Sequence, residues 1–210
     1  VKIKTSLRLQ QYSWIEATAA ILLVQLIFFP NQKVVDNTFA GIFPSKDIIY
    51  QDSLSTVAGQ LQQVKMPDGS TIWLSGNSKI RFNHSLFAQN RNIILEQGEV
   101  FFDVHKDAKH PFLIESKGIT IKVLGTSFNV RHSVASHQLS VEVKTGTVKV
   151  AQGTKEHVLT AGNTLSYQKG TYQLEQLDPE YIGLWTSGGL FVEQATFKEL
   201  QEIIWNRFGL

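Results

Sequence analysis

Six histidines, a group of carboxylates and one serine in a glycine-flanked β-run are the residues of this sequence whose types could carry chemistry. His105 and His110 are five apart, as are His132 and His137. Helical metal pairs stand at i, i+4 and strand pairs at i, i+2, so neither spacing offers a ready-made metal site. Glu99 and Asp103 share a strand face in NIILEQGEVFFDVH, two alternations or roughly 13 Å apart. Carboxylate pairs that cleave glycosidic bonds stand ~5–9.5 Å apart, so these two, with Glu96 and Asp107, read as a solvated face. Ser127 in VLGTSFNV lacks the second glycine of a nucleophile elbow, and β-like sequence follows it instead of a helix. Gly188 and Gly189 are followed by no phosphate-loop lysine. With no cysteine in the chain, thiol nucleophiles and thiolate metal sites are excluded. The expectation is no catalytic residue, no metal and no cofactor.

The elements that would position any function are short strands. In VKMPDGSTIWL, Pro67, Asp68 and Gly69 read as a tight turn between two strands, because Pro presets φ, Asp bonds nearby backbone and Gly accepts positive φ. Alternation then puts Ile72 and Leu74 on one face and Thr71 and Trp73 on the other. Val100, Phe102 and Val104 point one way after Gly98; Glu99, Phe101 and Asp103 point the other. HPFLIES, KGITIKVLGTSFNV, LSVEVKTGTVKVA around Gly146 and VLTAGNTLSY around Gly162 repeat the pattern of apolar alternation and glycine turn. The intervals between Gly69, Gly98, Gly146 and Gly162 are unequal, so no fixed repeat is established. Gly125 reads as a bend or bulge at which Thr126 and Ser127 bond local backbone, with Phe128 and Val130 resuming the core. The fold class expected is mainly β, a β-sandwich or an irregular β-solenoid, over residues 63–177.

Two further segments flank this body. Residues 14–30, WIEATAAILLVQLIFFP, follow Lys2, Lys4 and Arg8 and precede Lys33. They read as a slightly short transmembrane helix with Trp14, Ala17, Ile21, Leu22, Leu26 and Phe29 in the anchor, its N-terminus cytoplasmic. A cleaved signal peptide and a buried soluble helix are the alternatives. Residues 1–13 would be a cytoplasmic stub and 31–62 a linker. Near the end, residues 190–192 read as a short strand. TFKELQEIIWNRFGL reads as a helix with a Thr196/Glu199 capping box, a Phe197/Leu200/Ile204/Phe208 stripe facing a core or, as the alternative, offered to a partner, and Gly209 as its stop. The net charge of +2 and the lack of a basic block give no footprint for nucleic acid.

Taken in order, MPDGSTIWLSGNSKIRF, ILEQGEVFFDV, HPFLIES, ITIKVLGTSFNV, VEVKTGTVKV and LTAGNTLSY resemble the successive signatures of the FecR family of anti-sigma factors in its Bacteroidetes form, over residues 59–167. Pro67, Asp68, Gly69, Trp73, Gly98, Gly125, Thr126, Phe128, Asn129, Gly146 and Gly162 carry that signature, and their expected role is architectural. Residues 186–210 resemble the opening of the short N-terminal domain of secretins and TonB-dependent receptors. The resemblance implies a bacterial inner-membrane regulator with a periplasmic β-domain. Its expected partners are the periplasmic signalling domain of a TonB-dependent outer-membrane transducer and an extracytoplasmic-function sigma factor. In the family a cytoplasmic segment holds the sigma factor; with only residues 1–13 ahead of the anchor and one helix of the last domain present, the chain reads as a fragment of a longer protein. A membrane-anchored glycan-binding β-module, with Trp73 and Trp185 as stacking platforms, is the alternative.

Overall fold

A computed structural model of the chain describes residues 50–192 and 195–210. The stub, the transmembrane segment with Trp14, Ala17, Ile21, Leu22, Leu26 and Phe29, and the linker up to residue 49 lie outside the described residues. Among the described residues no helix is long and apolar enough to cross a membrane.

The body is mainly β. Its strands are β1 (Asp52–Ser55), β2 (Gln62–Lys65), β3 (Thr71–Leu74), β4 (Lys79–Phe82), β5 (Asn92–Asp103), β6 (Phe112–Ser116), β7 (Ile119–Val123), β8 (Ser127–Ser133), β9 (Gln138–Thr145), β10 (Thr147–Gln152), β11 (Lys155–Thr160), β12 (Asn163–Gln168) and β13 (Thr171–Gln176). Among the described residues one α-helix, α1 (Phe197–Phe208), follows a 3₁₀ turn at Leu184–Ser187. The sheet runs β11-β10-β7-β6-β5-β8-β9-β12-β13, with β4 and β3 added along successive halves of β5. Of the described strand pairs, β5 with β6 is parallel and the rest are antiparallel. That pairing makes an open sheet curled on itself, not the stacked parallel coils of a solenoid. The first strand also begins inside the stretch read as linker, at Asp52.

Two glycines make the curl. β5 is twelve residues long, and it exchanges partners midway: up to Gln97 it pairs β4 and β6, and from Gly98 it pairs β8 and then β3. At Gly98 φ is 92°, and a Cβ would stand 2.3 Å from Ser78 Cα. Only glycine fits there. Ser78 Oγ accepts from Glu99 N and donates to Glu99 O, both at 3.0 Å, bridging the ladder at the change of partner. The second corner is Gly125, between β7 in one half of the sheet and β8 in the other; its Cβ would lie 2.6 Å from Lys106 Cα. Thr126 Oγ1 donates to Thr147 O at 3.0 Å, Thr126 O accepts from Val104 N at 3.0 Å, and Ser127 Oγ donates to Asp103 Oδ1 at 2.7 Å. GTSFNV is thus the corner at which the chain passes between halves.

The alternating faces converge on one core. Ile72, Leu74, Val100, Phe102, Phe128 and Val130 from one half meet Ile80, Leu95, Phe112, Ile114, Ile121 and Val148 from the other. Phe102 and Phe128 stack with centroids 5.2 Å apart. Full burial of each such side chain contributes about 1.5–3 kcal/mol, which is why the alternation fixes the register. At one end of the core Arg91, 1% exposed, ion-pairs with Asp68 at 3.2 Å. It also donates to the carbonyls of His105, Asp107 and His110. Asp68 therefore does more than hold its own turn, where it accepts from Ser70 N at 3.0 Å.

Candidate functional site

The outward face of the sheet is where the molecule departs from a plain β-body. Trp73 on β3 and Phe101 on β5 point away from the core, yet Phe101 is buried. A second apolar cluster accounts for this: Phe101, Ile182 and Trp185, with Trp73 and Leu177 packed against them. Ile182 and Trp185 belong to the segment after β13, which crosses this face as a strap and continues into α1. Lys144 Nζ donates to Ile182 O at 3.0 Å, fixing the crossing to β9.

Asn129, from the GTSFNV signature, is the hub beneath the strap. Its Oδ1 accepts from Trp185 Nε1 at 3.1 Å, and its Nδ2 faces Glu99 Oε1 at 2.9 Å and Glu142 Oε2 at 3.3 Å. Arg207 of α1 closes the network. Its guanidinium lies 4.6 Å from the Trp185 ring centroid and its Nη2 bonds Glu99 Oε2 at 3.1 Å. Besides the half-buried Ile203, the inward face of α1 carries further polar contacts: Glu202 accepts from Ser133 Oγ at 3.0 Å, and Asn206 bonds Asn77 and, through its carbonyl, Gly59 N.

Between the strap and the sheet lies a cavity of about 330 Å³. Its floor carries Ser140, Glu142, Thr164 and Ser166, and its roof Leu190, Phe191, Val192 and Arg207. The Glu142 carboxyl is raised to about 7, first by desolvation and then by the neighbouring Glu99 charge. Ser140 Oγ, Thr164 Oγ1 and Arg207 Nε and Nη1 are buried and have no hydrogen-bond partner among the described residues.

Several expectations are corrected here. Glu99 is not on a solvated face; the strap covers it, and it pairs with Arg207. Trp185 is 6% exposed and cannot act as a stacking platform for a ligand, and Trp73 packs edge-on against Phe101 at 5.7 Å. Residues 190–192 form no strand; Phe191 instead stacks on Tyr181 at 4.1 Å. α1 does span Phe197–Phe208 with its capping box closed, but the stripe read as core is not buried: Phe197 is 76% and Phe208 51% exposed, with Leu200 and Ile204 half-buried between them. Pro67, Asp68 and Gly69 sit in the β2–β3 turn, Gly146 between β9 and β10, and Gly162 between β11 and β12. None of these reaches the cavity. The histidines do not converge: His110 pairs with Asp107 at 2.7 Å, and His132 with Ser116 at 3.1 Å. Glu142, which the sequence reading passed over, was legible only indirectly, from the aromatics Trp73 and Phe101 on a face that should have been wet.

Residues 52–149 match the family model for FecR protein. Two solved structures, each of a candidate anti-sigma factor from Parabacteroides distasonis, share the fold. One is 24% identical with a TM-score of 0.70, covering 75% of this chain and 75% of its own. The other is 25% identical with a TM-score of 0.70, covering 74% of each chain. No curated protein matches. The quoted signatures lie on the two corners, the tight turns and the Asn129 hub, and the β-body of this chain belongs to the FecR family.

Proposed function

We propose that the chain is a membrane-anchored regulator that works by protein contact. It would relay a signal from the periplasmic domain of a TonB-dependent outer-membrane transducer to an extracytoplasmic-function sigma factor. The observation that carries this reading is the FecR match over residues 52–149; the description of the two structural relatives as candidate anti-sigma factors adds to it. The apolar segment 14–30, with three cations ahead and Lys33 behind, supports an inner-membrane anchor with the β-body in the periplasm. Residues 186–210 would open a further small α/β domain.

The surface suits contact. Phe197, Trp205 and Phe208 stand out from α1, and Val57 and Leu61 stand out from the loop that touches the helix through Gly59. Exposed apolar patches of this kind mark protein interaction sites. The glycan-binding alternative loses its two platforms, since Trp73 and Trp185 are taken up by the strap.

The test uses the full chain, solubilised, as bait for the purified periplasmic domain of a transducer encoded beside it and, separately, for the neighbouring sigma factor. Capture of the transducer domain, weakened by Trp205→Ser with Phe208→Ser, is the expected result. A folded bait that retains neither partner would remove the proposal.

A further inference from the structure

The strap cavity has a composition that points to a ligand. Its size, about 330 Å³, falls at the lower end of the range for small-molecule sites. Two of its floor hydroxyls, Ser140 Oγ and Thr164 Oγ1, are buried without a partner among the described residues, as are two nitrogens of Arg207 above them. Ser140 is 5% exposed. Buried polar groups are almost always bonded, so a group of unsatisfied ones around a single cavity calls for something that both donates and accepts.

The charges narrow the class. Arg207 is paired with Glu99, Glu199 is tied into the capping box of α1, and Arg131 and Glu175 add one charge of each sign to the lining. The Glu142 carboxyl carries a proton over much of the range below pH 7. Little net charge is left to select an ion. Apart from Arg207, the roof is of the opposite character: Leu190, Phe191 and Val192 are apolar and partly open. A polar floor under an apolar roof matches a ring with hydroxyls along its edge and C–H bonds on its face.

We propose that the cavity between the strap and the β9–β12 surface binds a small, neutral, hydroxyl-rich ring, a sugar of monosaccharide to disaccharide size. Its hydroxyls would bond Ser140, Thr164 and Arg207, and its C–H face would lie against Phe191. Trp185 borders the cavity, its ring already held by Arg207 and Asn129, and the proposal does not depend on the transducer reading.

The test is titration of the full chain, in a detergent without a sugar headgroup, with glucose, galactose, mannose and maltose, and with glucosamine and glucuronate as charged counterparts. Isothermal titration or saturation-transfer NMR reads the binding. Saturable binding of at least one neutral sugar at one site per chain is expected, weakened about tenfold in Ser140→Ala with Thr164→Val. The same double variant should melt at an equal or higher temperature when empty, because it removes two unsatisfied hydroxyls. Absence of saturable binding by every neutral sugar would overturn the proposal, as would full-strength binding by the double variant or tighter binding of either charged sugar. A lower melting temperature of the empty double variant would also count against it, by showing that the hydroxyls already have partners.

Discussion

Glu142 has the environment that differs most from its sequence context. On β9 it alternates with the buried Val141 and Val143, so it should face water. Under the strap, desolvation and then the Glu99 charge lift its pKa from 4.5 to about 7. Between those values the folded protein still holds a proton that the unfolded chain has released. The contribution of this group to stability is therefore greatest below about pH 4.5 and falls as pH rises toward 7. Glu142→Gln removes the ionisation. Melting curves of variant and parent should lie closest near about pH 4 and separate by about pH 8, the variant being higher by roughly 3 °C per kcal/mol relieved. A gap that stays constant with pH would refute the assignment. Asn129 offers a second test at this scale. Asn129→Leu strips the Trp185 indole N–H and two carboxylates of a partner, at a cost of about 1–3 kcal/mol. The indole should become wetter, seen as a red shift of tryptophan emission in conditions where the sheet remains folded. Unshifted emission would mean that Asn129 does not hold the strap.

At the scale of elements, the strands were legible because alternation has a physical cause: the apolar face of each must be buried. Ile119, Ile121 and Val123 could be read from Ile-Thr-Ile-Lys-Val without any structure, and all three are core. β1 was not legible, since Asp-Ser-Leu-Ser-Thr carries one large apolar residue and owes its strand to pairing with β4. The apolar run at 190–192 misled for the converse reason: no neighbour of the strap supplies a ladder for it. The glycines were legible as bends, but not as the points where a strand changes partners, because that depends on chain segments distant in sequence. The close approach makes them testable. Gly125→Val would drive side-chain atoms into Lys106, whose Cα already lies 2.6 Å from the place of a Cβ. That backbone cannot yield cheaply, so the variant should fail to fold or lose more than about 3 kcal/mol in denaturant titrations. A soluble variant that melts with the parent would show that the corner is not needed.

For the whole molecule, the question is what covers the outward face, and periodicity cannot answer it. A helical stripe tells which side is apolar, and the usual inference is that this side is buried. α1 inverts the inference. It docks through Glu202, Asn206 and Arg207 and leaves Phe197, Trp205 and Phe208 exposed. The contacts that decide this are remote in sequence: Asn77 and Asn206 are 129 positions apart. Polar docking is weaker per contact than apolar burial, and the core of the sheet lies on the other side of β5 and β8. The helix should therefore open separately from the body. Asn206→Ala with Arg207→Ala removes two of its three inward polar anchors, including a cation held over Trp185, for a combined loss of about 1–3 kcal/mol in docking. Cleavage in a helix needs local opening, so trypsin should cut at Lys198 about tenfold faster in the variant, while the melting temperature of the β-body moves by no more than about 4 °C. If body and helix lose protection together, strap and sheet form one cooperative unit. If cleavage at Lys198 does not change, the anchors are not what holds the helix.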